Sequence, residues 1–502
     1  MVKITLIGSI PWQLGAAHGR HTDEGLAVGR EDQEMLSDDL EIPQPSAQAQ
    51  PESTTSAAEG DWVPSPGYAN YIFWLMFCIN LINYMDRWVF SLLTPLIQTD
   101  RVFCAPHSQA HYCINDFQTG LLGSCFLLVY AIGALPLGVI ADRLKRKNVI
   151  AAGVAVWSAA TMLTAFVHGF FGLLMTRAWL GIGEASYNPA GISLLSSYFP
   201  GKRRAQILSR WAAGALAGFA LGVVVGGAVA YMTHRWRLAF IFTGPPGLLL
   251  AFLMWKAREP LRHAADEGGD EHDIRQLGNG LRPILAQMRN LLGIRTLLVC
   301  IIVQALGFFV IAPSAIFFSP LLSRNYHLKL PAIGGAALLL ALASIIGALA
   351  GGHLADRLTR RYAGGRLMAA GLGFLLAAPA MVLALVSANI WMFIPFFILT
   401  GALLNIYNGP LNAAIQDAVP PALRASAVAL AFMLAHLCGD LAAPSVVGGI
   451  SYLLDPVHQA KLAEAMLITG PGALVIAGVI GIWGSRFMAR DHQRASGALC
   501  QG

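Results

Sequence analysis

Gly138-Val139-Ile140-Ala141-Asp142-Arg143-Leu144-Lys145-Arg146 and Gly352-His353-Leu354-Ala355-Asp356-Arg357-Leu358-Thr359-Arg360 share one spacing, G-x-x-x-D-R-x-x-R, at an offset of 214 residues. Each closes an apolar run and opens a basic connection. A motif repeated at matching places in two halves implies internal duplication, the build of many secondary transporters.

The residues around the two copies set the solvent. The 502-residue chain is 56% hydrophobic and 12% charged, with a mean hydropathy of +0.57. Soluble domains carry about 25% charged residues. No Asp, Glu, Lys or Arg occurs between Arg295 and Arg324, between Lys329 and Asp356, or between Arg366 and Asp417. A charge-free run of about 20 residues is long enough to span a bilayer as a helix. This excludes a soluble enzyme, a nucleic-acid binder and a disordered chain. The net charge of +6 then reports topology before it reports partners.

Twelve apolar segments are predicted, at about 68–97, 116–141, 148–167, 170–195, 207–232, 238–256, 291–320, 331–354, 364–387, 389–415, 425–453 and 463–488. The expected organisation is a disordered cytoplasmic tail (1–66), a six-helix bundle (67–256), a charged cytoplasmic linker (257–290), a second bundle (291–490) and a C-terminal tail (491–502). The tail is too polar to offset its ordering entropy; it reads as a regulatory arm, an unstructured extension or a start codon placed too far upstream. Even-numbered connections hold most of the Lys and Arg, among them Lys145 to Lys147, Lys202 to Arg204 and Arg357 to Arg361. Odd-numbered ones hold Arg101, Arg235, Arg237, Arg324, Lys329 and Lys461. Basic loops stay inside, so both termini are expected in the cytoplasm, with the protein multi-pass in the plasma membrane (the inner membrane of a Gram-negative bacterium).

Twelve segments, a 6+6 duplication and the motif after segments 2 and 8 resemble the major facilitator superfamily. Asn83-Tyr84-Met85-Asp86-Arg87 in segment 1, Arg177 and Gly181-Ile182-Gly183-Glu184-Ala185-Ser186-Tyr187 in segment 4, Arg258-Glu259-Pro260 after segment 6, and His436-Leu437-Cys438-Gly439-Asp440 before Pro444 in segment 11 resemble its spinster branch. The resemblance covers roughly residues 68–490. It implies an all-α membrane protein with twelve transmembrane helices in two pseudo-symmetric six-helix bundles, the major facilitator fold. It also implies a carrier from a branch implicated in exporting lysolipids and sphingoid phosphates.

Ionisable residues within the segments are few, and each costs about 2.5–3.5 kcal/mol at a helix centre. Arg177 and Glu184 lie nearly two turns apart on one face, too far to touch, so each can reach a partner on another helix. The expected network joins them to Asp86 and Arg87. His436 and Asp440 form an i, i+4 pair on segment 11. These six residues are the candidates for proton coupling and substrate binding, against the plainer reading of ion pairs that only fix helix register. A carboxylate in a dry cavity favours its proton, and a neighbouring Arg removes it; the same Arg can bind an anionic headgroup with its planar fork. One network would thus couple ion and substrate by competition. Asn83, Tyr84, Tyr187, Asn188, Asn405, Tyr407, Asn408 and Asn412 either line a cavity or bond neighbouring helices. Gly138, Asp142, Arg143, Arg146, Gly352, Asp356, Arg357 and Arg360 read as a cytoplasmic gate, a latch between bundles.

Two further features leave alternatives open. Gly214, Gly218, Gly222 and Gly226 make a stripe on segment 5, matched by Ala343, Gly347 and Gly351 on segment 8. In the superfamily helices 5 and 8 meet between the bundles, so the stripes serve either sliding or static packing. Cys104 and Cys113 share the first exterior loop with His107 and His111 and could form a disulfide, remain free thiols or bind a metal; no resident metal or cofactor is expected.

The reading is a proton-coupled secondary transporter, acting as a monomer by alternating access on an amphipathic organic anion or lysolipid-like molecule. Its partners are that small molecule, protons and the lipid membrane, with no nucleic acid. Alternatives are a multidrug or small aromatic- or organic-acid carrier, or, in another class, a membrane receptor. The chain has no nucleotide P-loop, H-E-x-x-H or nucleophile elbow, which argues against a pump or an enzyme.

Overall fold

A computed structural model describes residues 64–104, 112–199, 201–260, 288–420 and 423–495. The expected N-terminal tail (apart from its last few residues), His107 and His111, and most of the linker and C-terminal tail fall outside the described residues, as do the side chains of Asp142 and Arg143. The rest is helical. In our numbering α1 is Pro66–Gln98, α2 Asp116–Arg143, α3 Arg146–Thr164, α4 Phe170–Tyr198 and α6 Trp236–Lys256. Between them α5 comprises Gly201–Leu221, a π-helical turn Gly222–Gly226 and Gly227–Thr233. The second half holds α7 (Arg295–Tyr326), α8 (Leu330–Thr359), α9 (Gly365–Val386), α10 (Ile390–Asn405 and Asn408–Ala418), α11 (Arg424–Cys438 and Ala443–Leu454) and α12 (Leu462–Ala495). Nine spans among the described residues are apolar and long enough to cross a membrane; α1, α3 and α4 are not among them. All three carry buried charges (Asp86 in α1, Arg146 in α3, Arg177 and Glu184 in α4), which lower their hydropathy.

Local chemistry sets the boundaries. Ser65 caps α1 by accepting from the Tyr68 amide, with Pro66 at the first helical position. Asn115 and Gln118 close a capping box on α2 at 2.8 and 2.9 Å. The sequence read segments 10 and 11 as continuous, but each is broken. Pro410 cannot donate to Ile406, and α10 opens there; Pro444 cannot donate to Asp440, and α11 opens there. Two other boundaries also move. Lys202 to Arg204, read as loop, lie in the first turn of α5. The last helix extends past 490, and Asp491 turns back to accept from the Thr296 amide and hydroxyl at the start of α7 (2.9 and 2.7 Å).

Helices α1–α6 pack among themselves, as do α7–α12. The glycine stripes belong to this packing. A Cβ at Gly218 would overlap the Leu81 carbonyl of α1, and one at Gly222 would lie 2.7 Å from the Met85 carbonyl. Gly347 and Gly351 press in the same way on the Ala402 and Ile406 carbonyls of α10. The stripes therefore join helices within each bundle. The sliding α5–α8 surface is not what these glycines form, because their missing side chains are filled by α1 and α10.

Contacts between the bundles concentrate at one end. There α2 packs on the Ala443–Leu454 half of α11 and scarcely touches the Arg424–Cys438 half. The Gly120 position abuts the Pro444 carbonyl, and Gly448 abuts that of Asp116. This is the end of the odd-numbered connections. Toward the even-numbered end the bundles part.

Candidate transport site

Where the bundles part lie two adjoining cavities. The larger, about 430 Å³, is walled by Tyr84 and Trp88 of α1, Phe219 of α5, Phe318 of α7, and Phe397 and Asn405 of α10, among others. The smaller, about 220 Å³, shares Tyr84 and Trp88 and adds Arg87, Phe126 and Arg177. One compartment is nearly all apolar, and the other carries two guanidinium groups.

Arg87 pairs with Glu184 through Nε and Nη2. Its guanidinium lies 5.1–5.3 Å from the rings of Tyr84, Phe126 and Tyr130, a cation–π cage. Arg87 keeps 29% of its side chain exposed while Glu184 has none, so the cation faces the cavity and the carboxylate sits behind it. Arg177 lies 4.2 Å over the Phe90 ring, and its Nε and Nη2 have no hydrogen-bond partner. Asp86 is fully buried, with both oxygens unpartnered. The expected four-residue network is thus one ion pair, with Arg177 and Asp86 nearby and unbonded.

The other candidates divide. His436 and Asp440 do pair, at 2.7 Å, with the imidazole stacked 4.2 Å from Phe308; they line neither cavity. Asn405 lines the larger cavity and bonds the Gly401 carbonyl. Asn408 and Asn412 bond back along their own helix, to Asn405 and the Asn408 carbonyl. Tyr407 is buried, 5.2 Å from Phe374. Tyr187 is held inside the first bundle, donating to the Met76 carbonyl (3.1 Å) and accepting from Trp211 (2.8 Å). Asn188 is exposed, away from both cavities, while Asn83 is buried behind α1.

The expected gate residues do other work here. Arg146 is buried within the first bundle, pairing with Glu259 at 2.7 Å and donating to Ser193 and Ser197, which ties α3, α4 and the end of α6 together. Glu259 also accepts from the Arg146 and Lys147 amides. Arg146 is here a clamp within the first bundle and not a latch between bundles, since its partners come from α4 and the stretch after α6. Asp356, Arg357 and Arg360 are exposed, and no side chain packs at Gly138 or Gly352 within 4 Å. Among the described residues no ion pair joins the bundles at this end.

The latch is at the other end. Arg324 of α7 donates to both carboxylate oxygens of Asp116 at the start of α2 (2.9 and 2.7 Å), to Gln98 of α1 (2.8 Å) and to the Gln459 carbonyl (2.9 Å). Asp116 also accepts from Ser451 of α11 at 2.7 Å and from Gln98 at 3.1 Å. Both side chains are almost fully buried. Such rim charges look like topology signals in sequence; only their juxtaposition across the bundles distinguishes them. Beside the latch Cys104 and Cys113 form a disulfide, and the Cys113 and Ile114 amides donate to the Gln98 carbonyl. Asp100, in the same connection, takes Trp236 at 2.8 Å, the Val102 amide at 3.0 Å and Arg237. Partial burial pushes its carboxyl up, but the Val102 amide and the Arg237 and Trp236 donors outweigh that and hold it below the usual carboxylate range.

Two pseudo-symmetric bundles around a cavity, sealed at one end and parted at the other, are the build of an alternating-access carrier. Residues 76–444 match the Major Facilitator Superfamily, and the chain belongs to it as a spinster-like multi-pass membrane transporter rather than an enzyme. It is 27% identical to protein spinster homolog 1 of Xenopus tropicalis over 84% of this chain and 81% of that one. Identity is 28% to the Homo sapiens protein of the same name, over 86% and 83%. Its fold matches the crystal structure of a bacterial homologue of the human lysosomal transporter spinster, inward-facing and unoccupied, with a TM-score of 0.68 at 22% identity over 86% and 98% of the chains. A nucleoside transporter matches at 0.58 and 14%, over 82% and 99%.

Proposed function

We propose that this protein is a proton-coupled secondary transporter for an amphipathic organic anion or lysolipid-like molecule. The observation that carries this is the pairing of compartments: Arg87 and Arg177 in a small cavity, opening onto a larger one walled by Trp88, Phe219, Phe318 and Phe397. An anionic head would sit at the guanidinium groups, where the charge-assisted fork is strong, and an apolar tail would fill the rest. The size and near-uniform apolarity of the larger compartment favour a chain over a small aromatic acid.

Coupling follows from the Arg87–Glu184 pair. An anion that engages Arg87 competes with Glu184, and a carboxylate deprived of its cation in a dry site takes a proton. The proton and the anion would then cross together. We assign the even-numbered connections and both termini to the cytoplasm from the Lys/Arg bias, so the parted end faces inward, and we place the protein in the plasma or inner membrane as a monomer.

The test is a paired assay in proteoliposomes: accumulation driven by an imposed pH gradient, and exchange without one. Glu184→Gln should abolish accumulation while exchange survives. Arg87→Ala should lose both, and Arg87→Lys should rescue neither fully, because a point charge lacks the fork. Full accumulation by Glu184→Gln would leave the ion pair a structural one.

A further inference from the structure

Arg295, the first residue of α7, and Arg486 of α12 hold their guanidinium groups at one aromatic ring. Arg486 lies 5.3 Å from the centre of Phe487 and 3.9 Å from that of Trp483, and Arg295 lies 5.5 Å from Phe487. The two rings meet edge to face at 4.9 Å. Both arginines are exposed, and among the described residues neither has an ion pair or a hydrogen bond. Of the carboxylates on these two helices, Glu464 pairs with Lys461 at the opposite end, and Asp491 is buried against Thr296. Arg490 and Arg494 follow on α12 at steps of four, both exposed, so positive charge accumulates on one face with no counter-charge.

The surface leading away from these cations is apolar. Leu298 and Ile302 lie three and seven residues after Arg295, and Trp483 and Val479 three and seven before Arg486, so each pair shares a face with its arginine. All four are exposed. The helices run close side by side, since a Cβ at Gly484 would overlap Val299. The seam is thus an apolar track with two cations at its mouth. The matching place in the first bundle differs. There Lys256 of α6 lies 4.8 Å from Trp255 and 5.7 Å from Phe252, but α1, which packs on α6, opens Pro66-Gly67-Tyr68-Ala69 and brings no second cation. One cation on exposed rings is the common anchor at a membrane interface. The second bundle has that anchor and a guanidinium from the neighbouring helix as well.

We propose that the seam between α7 and α12 binds an anionic phospholipid of the leaflet at the parted end, its phosphodiester held by Arg295 and Arg486 and an acyl chain lying along Leu298, Ile302, Val479 and Trp483. Guanidinium groups hold phosphate oxygens by charge-assisted hydrogen bonds, and basic pockets between membrane helices take such headgroups. A zwitterionic headgroup would bring an ammonium into the same basic field, so a lipid of net negative charge, such as phosphatidylglycerol, is favoured over phosphatidylcholine. The site is separate from both cavities, whose walls include no residue of α12, and it does not depend on what the protein carries. A lipid there would join the start of α7 to the end of α12 from outside, as Thr296 and Asp491 do from within.

The full-length protein in phosphatidylcholine vesicles tests this by fluorescence. A small fraction of phosphatidylglycerol with brominated chains should quench Trp483, isolated as the difference between wild type and Trp483→Phe, more than the same fraction of brominated phosphatidylcholine. Native mass spectrometry of the full-length protein in detergent should show a first phosphatidylglycerol bound more tightly than phosphatidylcholine. That affinity should fall about fivefold in Arg295→Gln or Arg486→Gln and about thirtyfold in the pair, while Lys256→Gln keeps it. Arg295→Lys/Arg486→Lys should recover only part, because a point charge lacks the fork. Equal quenching by the two lipids, a folded Gln pair with wild-type affinity, the same loss in Lys256→Gln, or full recovery in the Lys pair overturns the site. So does a rise in melting temperature with inorganic phosphate alone that the Gln pair abolishes, since the ligand would then be a free anion.

Discussion

Replacing Arg324 by Ala should move the bundles, not unfold them. In the structure Arg324 gives two hydrogen bonds to Asp116, one to Gln98 and one to the Gln459 carbonyl, and its bonds to Asp116 and Gln98 span the gap between bundles. Removing one partner of a buried pair costs about 3–5 kcal/mol, because the remaining charge stays buried and uncompensated. That loss falls on the closed arrangement. With this end open, Asp116 and Arg324 face water and the substitution is nearly neutral. At about 1.4 kcal/mol per decade, the equilibrium should shift toward opening here by about a hundred- to a few-thousand-fold, enough to bring a minor state of about 1% to parity or beyond. Spin labels at Met232→Cys and Trp391→Cys, exposed on opposite bundles at this end, report it by pulsed electron resonance once the exposed Cys78 and Cys438 are replaced by Ser. The Arg324→Ala distance distribution should lengthen. Removing both charges, in Asp116→Asn with Arg324→Gln, should shift it less, since no bare ion is left. A folded Arg324→Ala protein with the wild-type distribution would refute the latch.

Two further outcomes follow from the packing. Gly218→Val should lower the melting temperature sharply, since its side chain overlaps the Leu81 carbonyl and overpacking costs about 1–3 kcal/mol, whereas Gly138→Ala and Gly352→Ala, with nothing within 4 Å, should melt at or above the wild type while losing transport if those glycines pack when the even-numbered end closes. Asp100→Asn should destabilise by about 1 kcal/mol at neutral pH, a figure discounted for solvent screening of a partly exposed group; because the folded carboxyl is held below its unfolded value of about 3.9, the difference should be full above that pH and vanish as pH falls through the folded value, which thermal melts from pH 7 downward would measure.

The fold was legible because a bilayer forces long apolar runs, and because duplication left Asp142-Arg143 and Asp356-Arg357 in register. The charges of α1 and α4 were legible for the same reason: Asp86, Arg87, Arg177 and Glu184 stand out against apolar helices. Their pairing was not. Helix geometry says which residues share a face, but it does not say that Arg87 takes Glu184 and leaves Asp86 unbonded. The breaks in α10 and α11 were signalled by Pro410 and Pro444, yet a membrane helix can absorb a proline, so sequence alone does not say which ones open. Asp116 and Arg324 carry no local signature, since each is an ordinary rim charge until the two halves meet. The glycine stripes carry a plain signature of close approach but none of the partner, and α1 and α10 took the place expected for a facing bundle.

The division of the cavity has a mechanical consequence. Both guanidinium groups belong to the first bundle, whereas the apolar compartment is shared, with Trp88 and Phe219 on one side and Phe318 and Phe397 on the other. The α5 glycine stripe welds α1 to α5, so Arg87 and Phe219 travel as a single plank. When the halves rock, an anionic head of the kind proposed above would ride with its own plank and keep its grip, while the tail would lose the wall that swings away. The stroke would thus loosen such a cargo from its greasy end first, with the head departing last, once the carboxylate behind Arg87 took the guanidinium back.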